Sequence, residues 1–372
     1  MVKEKQDYPY EIDKKLYKRF KEKNNILFRR LWDKTLPTYN QMIDTNIEKH
    51  IESNKEGYSR MDFALVAAGW TVYERFPYAF TWERKEPIDI GYGIDWMESE
   101  HIIEDTSIFT RYIKKAAKFY GASLVGIADV NQNWIYKNGF MRPDQVSEAE
   151  AKREIRGGKA SNLLYDQPID LPNGFNKVIV MGIEMDKDAI STAPAQPAAA
   201  ASAIAYSKMA FIISCLGEFI RNLGYKAIQC GNDTALSIPL AIDAGLGALG
   251  RNGLLLTPEF GPRVRICKVF TNFPLESDEP NRLFIEKINK YCKKCSKCAE
   301  ACETDAIPKE KNPTFKPATL SNNPGVKKYY VDVEKCFEFW VENSSDCGNC
   351  ISACPFSKII KYCSPFEFWN KK

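Results

Sequence analysis

YCKKCSKCAEAC at residues 291–302 and CGNCISACP at residues 347–355, with Cys336 between them, decide how the C-terminal part of this chain is built. The first run is Cys292-x2-Cys295-x2-Cys298-x3-Cys302, and the second is Cys347-x2-Cys350-x3-Cys354-Pro355. A [4Fe–4S] cubane takes four Cys thiolates, and tight C-x2-C turns bring neighbouring thiolates to one cluster. In two-cluster ferredoxins the last Cys of such a run ligates the other cluster. On that pattern Cys292, Cys295, Cys298 and Cys354 hold one cluster, and Cys302, Cys336, Cys347 and Cys350 hold the second. Zinc knuckles use two separated pairs of ligands, which a three-plus-one run followed by proline suits poorly. Glu303 stands where the first run would usually carry proline; it changes a turn residue and removes no ligand.

Outward from the cysteines, the bulk composition is that of an ordinary globular protein with room for two or three domains in 372 residues. The formal charge of +4 is mild, and no Lys/Arg block with interleaved aromatics marks a nucleic-acid surface. Met1 to Tyr10 shows neither an apolar h-region nor a twin arginine, so no export signal is expected in this sequence. No membrane-spanning stretch is expected either. Location stays open between a cytoplasmic protein and a mature exported form. Four of the twelve cysteines (Cys215, Cys230, Cys267, Cys363) are scattered and read as buried free thiols. The two histidines, His50 and His101, both lie in the first third, so acid–base chemistry in the central part needs another residue type.

Residues 8 to 36 follow a loosely helical pattern, and Met61 to Trp70 (MDFALVAAGW) reads as a short buried helix closed near Gly69. The aromatics from Tyr73 to Tyr92 read as core, or alternatively as the wall of an apolar pocket. Thr106 to Tyr120 is a helix capped by Thr106 or Ser107. Its apolar face is Ile108, Tyr112, Ile113, Ala116 and Phe119, and Gly121 stops it. Strands are expected at 123–129, 177–184, 225–230 and 263–271, and a long alanine-rich helix at about 197–223, stopped by Gly224. Residues 130 to 176 look like an insertion or surface excursion. Alternating helix and strand in this middle third indicates a sheet with helices packed on it. The overall class is α+β, with an N-terminal unit at 1–105, a core at 106–280 and an iron–sulfur domain at 281–372.

Gly245, Gly247, Gly250 and Gly253 lie within nine residues, in AGLGALGRNG at 244–253. They let backbone approach a flat or phosphorylated cofactor, or they serve tight packing alone. A Rossmann reading fails, because the glycines follow a helical segment rather than opening one. Tyr206 stands among small residues on the long helix. Its context suits a core tyrosine with a satisfied hydroxyl, and a cavity-facing phenol is the alternative. Arg263 and Arg265 share one strand face, either solvated or carrying a cation that stabilises a neighbouring acid's charged form.

Taken together, the two cysteine runs, GNDT at 231–234, AGLGALGRNG at 244–253, FGPRVRI at 260–266 and YSKM at 206–209 resemble the corrinoid-dependent reductive dehalogenases. The resemblance covers about residues 60 to 360 and is densest from Tyr206 to Pro355. It implies a nitroreductase-like core binding a base-off cobalamin, fed with electrons by the two clusters. It further implies Tyr206 as proton donor, Arg265 as the cation holding its phenolate, and Asn232 as a third polar contact for substrate. Trp70, Phe76 and Trp340 match positions lining the family's substrate pocket, with Phe76 where some members carry Tyr. Gly245, Gly247, Gly250, Asn252, Gly253 and Thr192 would meet the corrinoid.

The partners so implied are a small organohalide, an external low-potential electron donor and a small membrane-anchor protein. A homodimer is compatible with the family, and no nucleic acid is expected. The chemistry would be two electrons and one proton at an apolar site, with cobalt carrying the hard step. The runner-up is an epoxyqueuosine reductase-like enzyme acting on tRNA, against which the Tyr206 helix and FGPRVRI stand. A plain ferredoxin-like electron carrier would not need some 270 residues ahead of its clusters.

Overall fold

Four strands with uninterrupted apolar stretches make the centre of the molecule. The computed structural model describes residues 9–75, 105–140 and 166–358. Strands β1 (Leu124–Asp129), β2 (Lys177–Glu184), β3 (Ala227–Cys230) and β4 (Val264–Thr271) pair in the order β1-β2-β4-β3. Every pairing is antiparallel, with Ile127 opposite Ile179, Met181 opposite Cys267 and Ile228 opposite Phe270. This antiparallel pairing is what makes the fold α+β.

Side chains alternate across a strand, so each strand feeds two cores. Ile179, Met181, Ile183, Cys267 and Val269 pack on one face with Ile212, Ile213 and Leu216 of the long helix. Val178, Val180, Ile228, Ile266 and Phe270 pack on the other with Leu240, Ala241 and Ile242. The sheet is therefore covered on both faces.

The long helix, Gln196–Arg221, carries Pro197 in its first turn, where the missing N–H costs no hydrogen bond. Gly224, at φ +82°, follows its end. By length and composition this helix could cross a membrane, contrary to the expectation that no segment qualifies. Most of its apolar window is instead buried in the protein, against the sheet. Its alanines let a neighbour approach closely. The helix Arg60–Gly69, opened by a reciprocal Ser59–Asp62 capping box, lies so near that a Cβ on Gly69 would sit 2.8 Å from the Ala203 Cβ. That shorter helix is not a buried one: Met61 and Leu65 are exposed and Gly69 is its buried contact.

The helix Thr106–Phe119 forms where expected but is capped by Asp105, whose carboxylate accepts from the Ser107 and Ile108 amides. Its docked face runs through Thr110, Ile113 and Ala117, whereas Phe119 and Tyr112 are exposed. Phe109 and Ala116 also pack against this core, so the docked face keeps Ile113 and Ala116 of the expected set and has Phe109, Thr110 and Ala117 in place of Ile108, Tyr112 and Phe119.

Residues 130–140 are not a surface excursion. Trp134, Ile135 and Phe140 are buried, and Asn138–Phe140 pairs with Asp166–Pro168. The intervening 141–165 lie outside the described residues. The N-terminal segment, expected to be loosely helical, has only a 3-10 turn at Glu22–Asn24 and one helical turn at Ile26–Arg29 before residue 36. It is held by Arg19, which donates to the carbonyls of Ile135, Tyr136 and Ile169.

Buried arginines tie the cysteine-rich part to the core. Arg251, from the glycine-rich loop, donates to the carbonyls of Cys292, Cys295, Pro308 and Glu310 and lies over the Tyr329 ring. Arg263 donates to Met185 O and Ser357 O and pairs with Glu184, so its part of the strand face is not solvated.

Candidate active site

Where the sheet core meets the cysteine-rich part, the protein forms a partly open cavity of about 490 Å³. Its core-side wall includes Trp134, Tyr136, Asn232, Ile242, Gly253 and Arg265. Cys302, Cys336, Cys347 and Cys350 open onto it from the other side, together with Trp340. The volume and the largely aliphatic and aromatic lining are those of a cofactor or ligand site.

Tyr206, Asn232 and Arg265 come from three different elements and meet beside this wall; Asn232 and Arg265 line the cavity, whereas Tyr206 and Trp70 are not among its lining residues. Nδ2 of Asn232 donates to Tyr206 Oη at 2.8 Å. Because the amide is the donor, the phenol's own proton is not used in that bond. The Arg265 guanidinium carbon lies 5.2 Å from the centre of the Tyr206 ring, a cation–π contact rather than a bond to the phenol oxygen. Trp70 stacks on Tyr206 with centroids 4.9 Å apart, and Tyr73 meets it edge-on at 5.3 Å. Tyr206 is thus half-buried in an aromatic cluster next to two residues that line the cavity.

Arg265 is itself positioned. Its Nη2 donates to Ser202 Oγ (2.7 Å) and to Asp346 Oδ2 (3.2 Å). Its Nε is buried and has no partner among the described residues. Burial raises the Asp346 carboxyl above the usual range, while Arg265 and Ser202 pull it back down. Asp346 was not expected at the site. It adjoins ligand candidate Cys347, and an acidic residue beside a cysteine run was the one signal that pointed to it.

The remaining expectations divide. Asn252, Gly253 and Trp340 do line the cavity. Gly245, Gly247 and Gly250 are not among its lining residues, and each is explained by packing against this chain's own atoms. A Cβ on Gly247 would lie 2.1 Å from Leu256 O, and one on Gly245 2.7 Å from Glu279 O. A Cβ on Gly250 would meet Leu256 Cδ1 at 2.2 Å. Thr192 is exposed, and its hydroxyl is taken by Ala189 O at 2.8 Å. Phe76 lies outside the described residues. His50, with its ring stacked on Tyr58, is far in sequence from these elements and takes no part in the wall; His101 lies outside the described residues.

Four of the eight cysteines share a small void, and Cys302, Cys336, Cys347 and Cys350 line the larger cavity. Cys292, Cys295, Cys298 and Cys354 ring a void of about 20 Å³. Burial first, then the charges of Cys292, Cys354 and Cys295, push the Cys298 thiol up to about 12. Cys336 is likewise pushed up to about 12 by burial and then by Cys347 and Cys302, and Cys350 is raised by burial and then by Cys336 and Cys347. Clustered thiols of this kind shed their protons only to a cation that repays the charge. No three of them converge on a single-ion centre among the described residues. Thiolates spaced around a void suit the separate iron corners of a cluster.

Comparison with known proteins bears on this arrangement directly. Residues 291–358 match the 4Fe-4S dicluster domain, and residues 119–275 match the reductive dehalogenase subunit. A tetrachloroethene reductive dehalogenase of Desulfitobacterium hafniense is 36% identical over 85% of this chain. Over most of its length the chain is similar to the reductive dehalogenases. It spans 64% of the length of that relative.

Among solved structures, the fold is shared with the catabolic reductive dehalogenase NpRdhA in complex with 3-bromo-4-hydroxybenzoic acid. The TM-score is 0.64 at 21% identity, over 94% of this chain and 43% of that one. A second, described as suggesting a mechanism for B12-dependent dehalogenation, superposes with a TM-score of 0.62 at 20% identity, over 91% of this chain and 41% of that one. An epoxyqueuosine reductase of Cyclobacterium marinum is 22% identical over 68% of this chain and 80% of its own length, a weaker match than the dehalogenases.

Proposed function

We propose that this chain reduces an organohalide, replacing a carbon–halogen bond by carbon–hydrogen, at a base-off corrinoid supplied with electrons by two [4Fe–4S] clusters. The observation that carries the reading is the contact of Tyr206 with Asn232 and Arg265, two residues lining a cavity that Cys302, Cys336, Cys347 and Cys350 line as well.

The residues present suit such a cofactor. The cavity is broad, is lined mainly by apolar and aromatic side chains, and has no histidine among its lining residues to serve as a lower ligand. When bound there, the corrinoid supplies low-valent cobalt for two-electron reduction of the carbon–halogen bond. In our reading Cys302, Cys336, Cys347 and Cys350 hold the cluster nearer the cavity, and Cys292, Cys295, Cys298 and Cys354 the farther one.

The balance is two electrons and one proton in, one halide out. Clusters held by the two cysteine sets would supply the electrons singly, two for each turnover. Tyr206 gives its hydroxyl proton to the carbon that loses halogen. Asn232 keeps donating to the phenol oxygen and stabilises the charge left there, and the Arg265 cation over the ring does the same from another direction. Asp346 holds Arg265 in that position. Trp70 and Trp340 keep the surroundings apolar, which excludes water from the reacting carbon.

A tRNA-modifying reading is disfavoured by the tyrosine beside this wall and by the identity pattern. A plain carrier leaves the cavity and its three converging polar groups without a role. The test is anaerobic reconstitution of the full chain with iron, sulfide and cobalamin, followed by halide measurement from tetrachloroethene and a panel of brominated phenols with reduced viologen as donor. Halide release supports the reading. A corrinoid-loaded protein that releases none from the panel and reduces epoxyqueuosine in tRNA overturns it.

A further inference from the structure

One charged group at the cavity has no role in the chemistry above. Lys328 lines the cavity on the side of Asn323, Val326 and Tyr330. Its backbone is fixed by reciprocal bonds with Thr314, Lys328 N to Thr314 O at 2.9 Å and Thr314 N to Lys328 O at 3.0 Å. The next tyrosine but one, Tyr330, is locked by its hydroxyl to the carbonyls of Asn323 and Val326.

The Lys328 ammonium lies 4.8 Å from the centre of the Tyr330 ring and has neither a hydrogen-bond nor an ion-pair partner among the described residues. Burial alone pushes it down to about 8, with no carboxylate near enough to oppose the shift. A partly desolvated cation without a counter-charge is costly, and an anion entering the cavity would offset that cost. A second group on the same wall is partly left over: the Asn323 side chain meets the Tyr17 hydroxyl, while its buried carbonyl oxygen has no partner among the described residues. A cation and an open acceptor lining the same cavity complement a phosphate ester that carries a sugar hydroxyl.

We infer that Lys328 and Asn323 form a subsite for the phosphodiester and ribose of a corrinoid's nucleotide loop, Lys328 meeting the phosphate and Asn323 a ribose hydroxyl. This rests on the corrinoid reading and assigns the cavity an orientation: the nucleotide end lies toward residues 323–330, and the cobalt end toward Asn232 and Arg265. It also gives the site a means of telling complete corrinoids from those lacking the loop.

The test compares cobalamin with cobinamide, which has the corrin ring but neither phosphodiester nor nucleotide. Corrinoid-free protein carrying its clusters is titrated with each, and binding is followed by corrin absorbance and equilibrium dialysis. The wild type is expected to bind cobalamin at least about tenfold more tightly than cobinamide, the scale of one charge-assisted hydrogen bond. Lys328→Met is expected to lose about tenfold or more for cobalamin and nothing for cobinamide, with Lys328→Arg retaining most of the preference. Without corrinoid, Lys328→Met should melt no lower than the wild type, because it removes an unpaired, partly desolvated charge.

Equal affinity of the wild type for the two corrinoids overturns the subsite, and this needs no variant to fold. So does a Lys328→Met protein that binds cobalamin as the wild type does, or that loses both corrinoids alike. A wild type that binds neither overturns the corrinoid reading itself.

Discussion

Arg265 and Asp346 form an ion pair, 3.2 Å between Nη2 and Oδ2, that places the guanidinium over the ring of Tyr206. One partner comes from the sheet and the other from the residue preceding Cys347, so the pair couples the core to the cysteine-rich part. Asp346→Asn keeps the shape and removes the charge. Turnover is expected to fall about tenfold or more while KM stays within about twofold, because the lost interaction acts when charge develops on the phenol. Asp346→Glu should recover part of the rate. Steady-state halide release, with iron content measured alongside, checks this; a rate equal to wild type in Asp346→Asn would remove Asp346 as a positioning residue.

The cysteine grouping makes a prediction about pairs of variants. Cys292→Ser and Cys354→Ser, 62 residues apart (354 − 292), should each lower bound iron from about eight to about four per chain. Combining them should lower it no further. Cys292→Ser combined with Cys350→Ser should remove nearly all of it. Iron and sulfide analysis with low-temperature EPR distinguishes these outcomes, and additive loss in the first pair would mean the ligand sets are wrong.

Asp243 links acidity to stability. Its carboxylate accepts from Trp134 Nε1 (2.8 Å) and Tyr10 Oη (3.0 Å), yet burial dominates and raises it to about 6. A folded-state value above the unfolded one means the stabilising contribution is present below the unfolded value, about 3.9, and is lost as pH rises through about 6. The difference in unfolding free energy between wild type and Asp243→Asn should therefore move against the wild type from pH 5 to pH 7. Denaturant unfolding at those two pH values checks it; a difference that does not change with pH contradicts it.

Gly247 tests whether the glycine-rich loop serves packing or cofactor. A Cβ there would lie 2.1 Å from the Leu256 carbonyl oxygen, so Gly247→Ala forces backbone apart. It should cost about 1–3 kcal/mol of stability, the range for overpacking, with cobalamin affinity of the folded protein within about twofold of wild type. A variant as stable as wild type but weakened in cobalamin binding would return Gly247 to the cofactor.

How much of this was legible in the sequence differs by element. The strand 177–184 and the long helix were readable because apolar, β-branched and alanine-rich stretches specify burial on both sides. The cysteine sets were readable because ligand spacing is a local constraint. The face of Thr106–Phe119 was only partly legible: Ile113 and Ala116 dock as expected, but Phe109, Thr110 and Ala117 complete the face, and that rotation depends on how the sheet receives the helix. The glycines at 245–250 misled for a related reason: a close approach by this chain's own carbonyls leaves the same sequence mark as a close approach by a cofactor. Tyr206, Asn232 and Arg265 came from the family pattern, and their meeting in space is a property of the fold alone. Asp346 and Lys328 carried no motif, since an unpaired or cross-paired charge becomes meaningful only once its surroundings are known.

The most direct measurement of the central claim is halide release by the reconstituted wild type beside Tyr206→Phe, with iron and corrinoid content determined for both. The account predicts release by the wild type and a loss of about a hundredfold or more in Tyr206→Phe, at equal iron and equal bound corrinoid, because the ring and its Trp70 and Arg265 contacts remain while the proton is gone. Undiminished halide release by Tyr206→Phe at equal loading would contradict it.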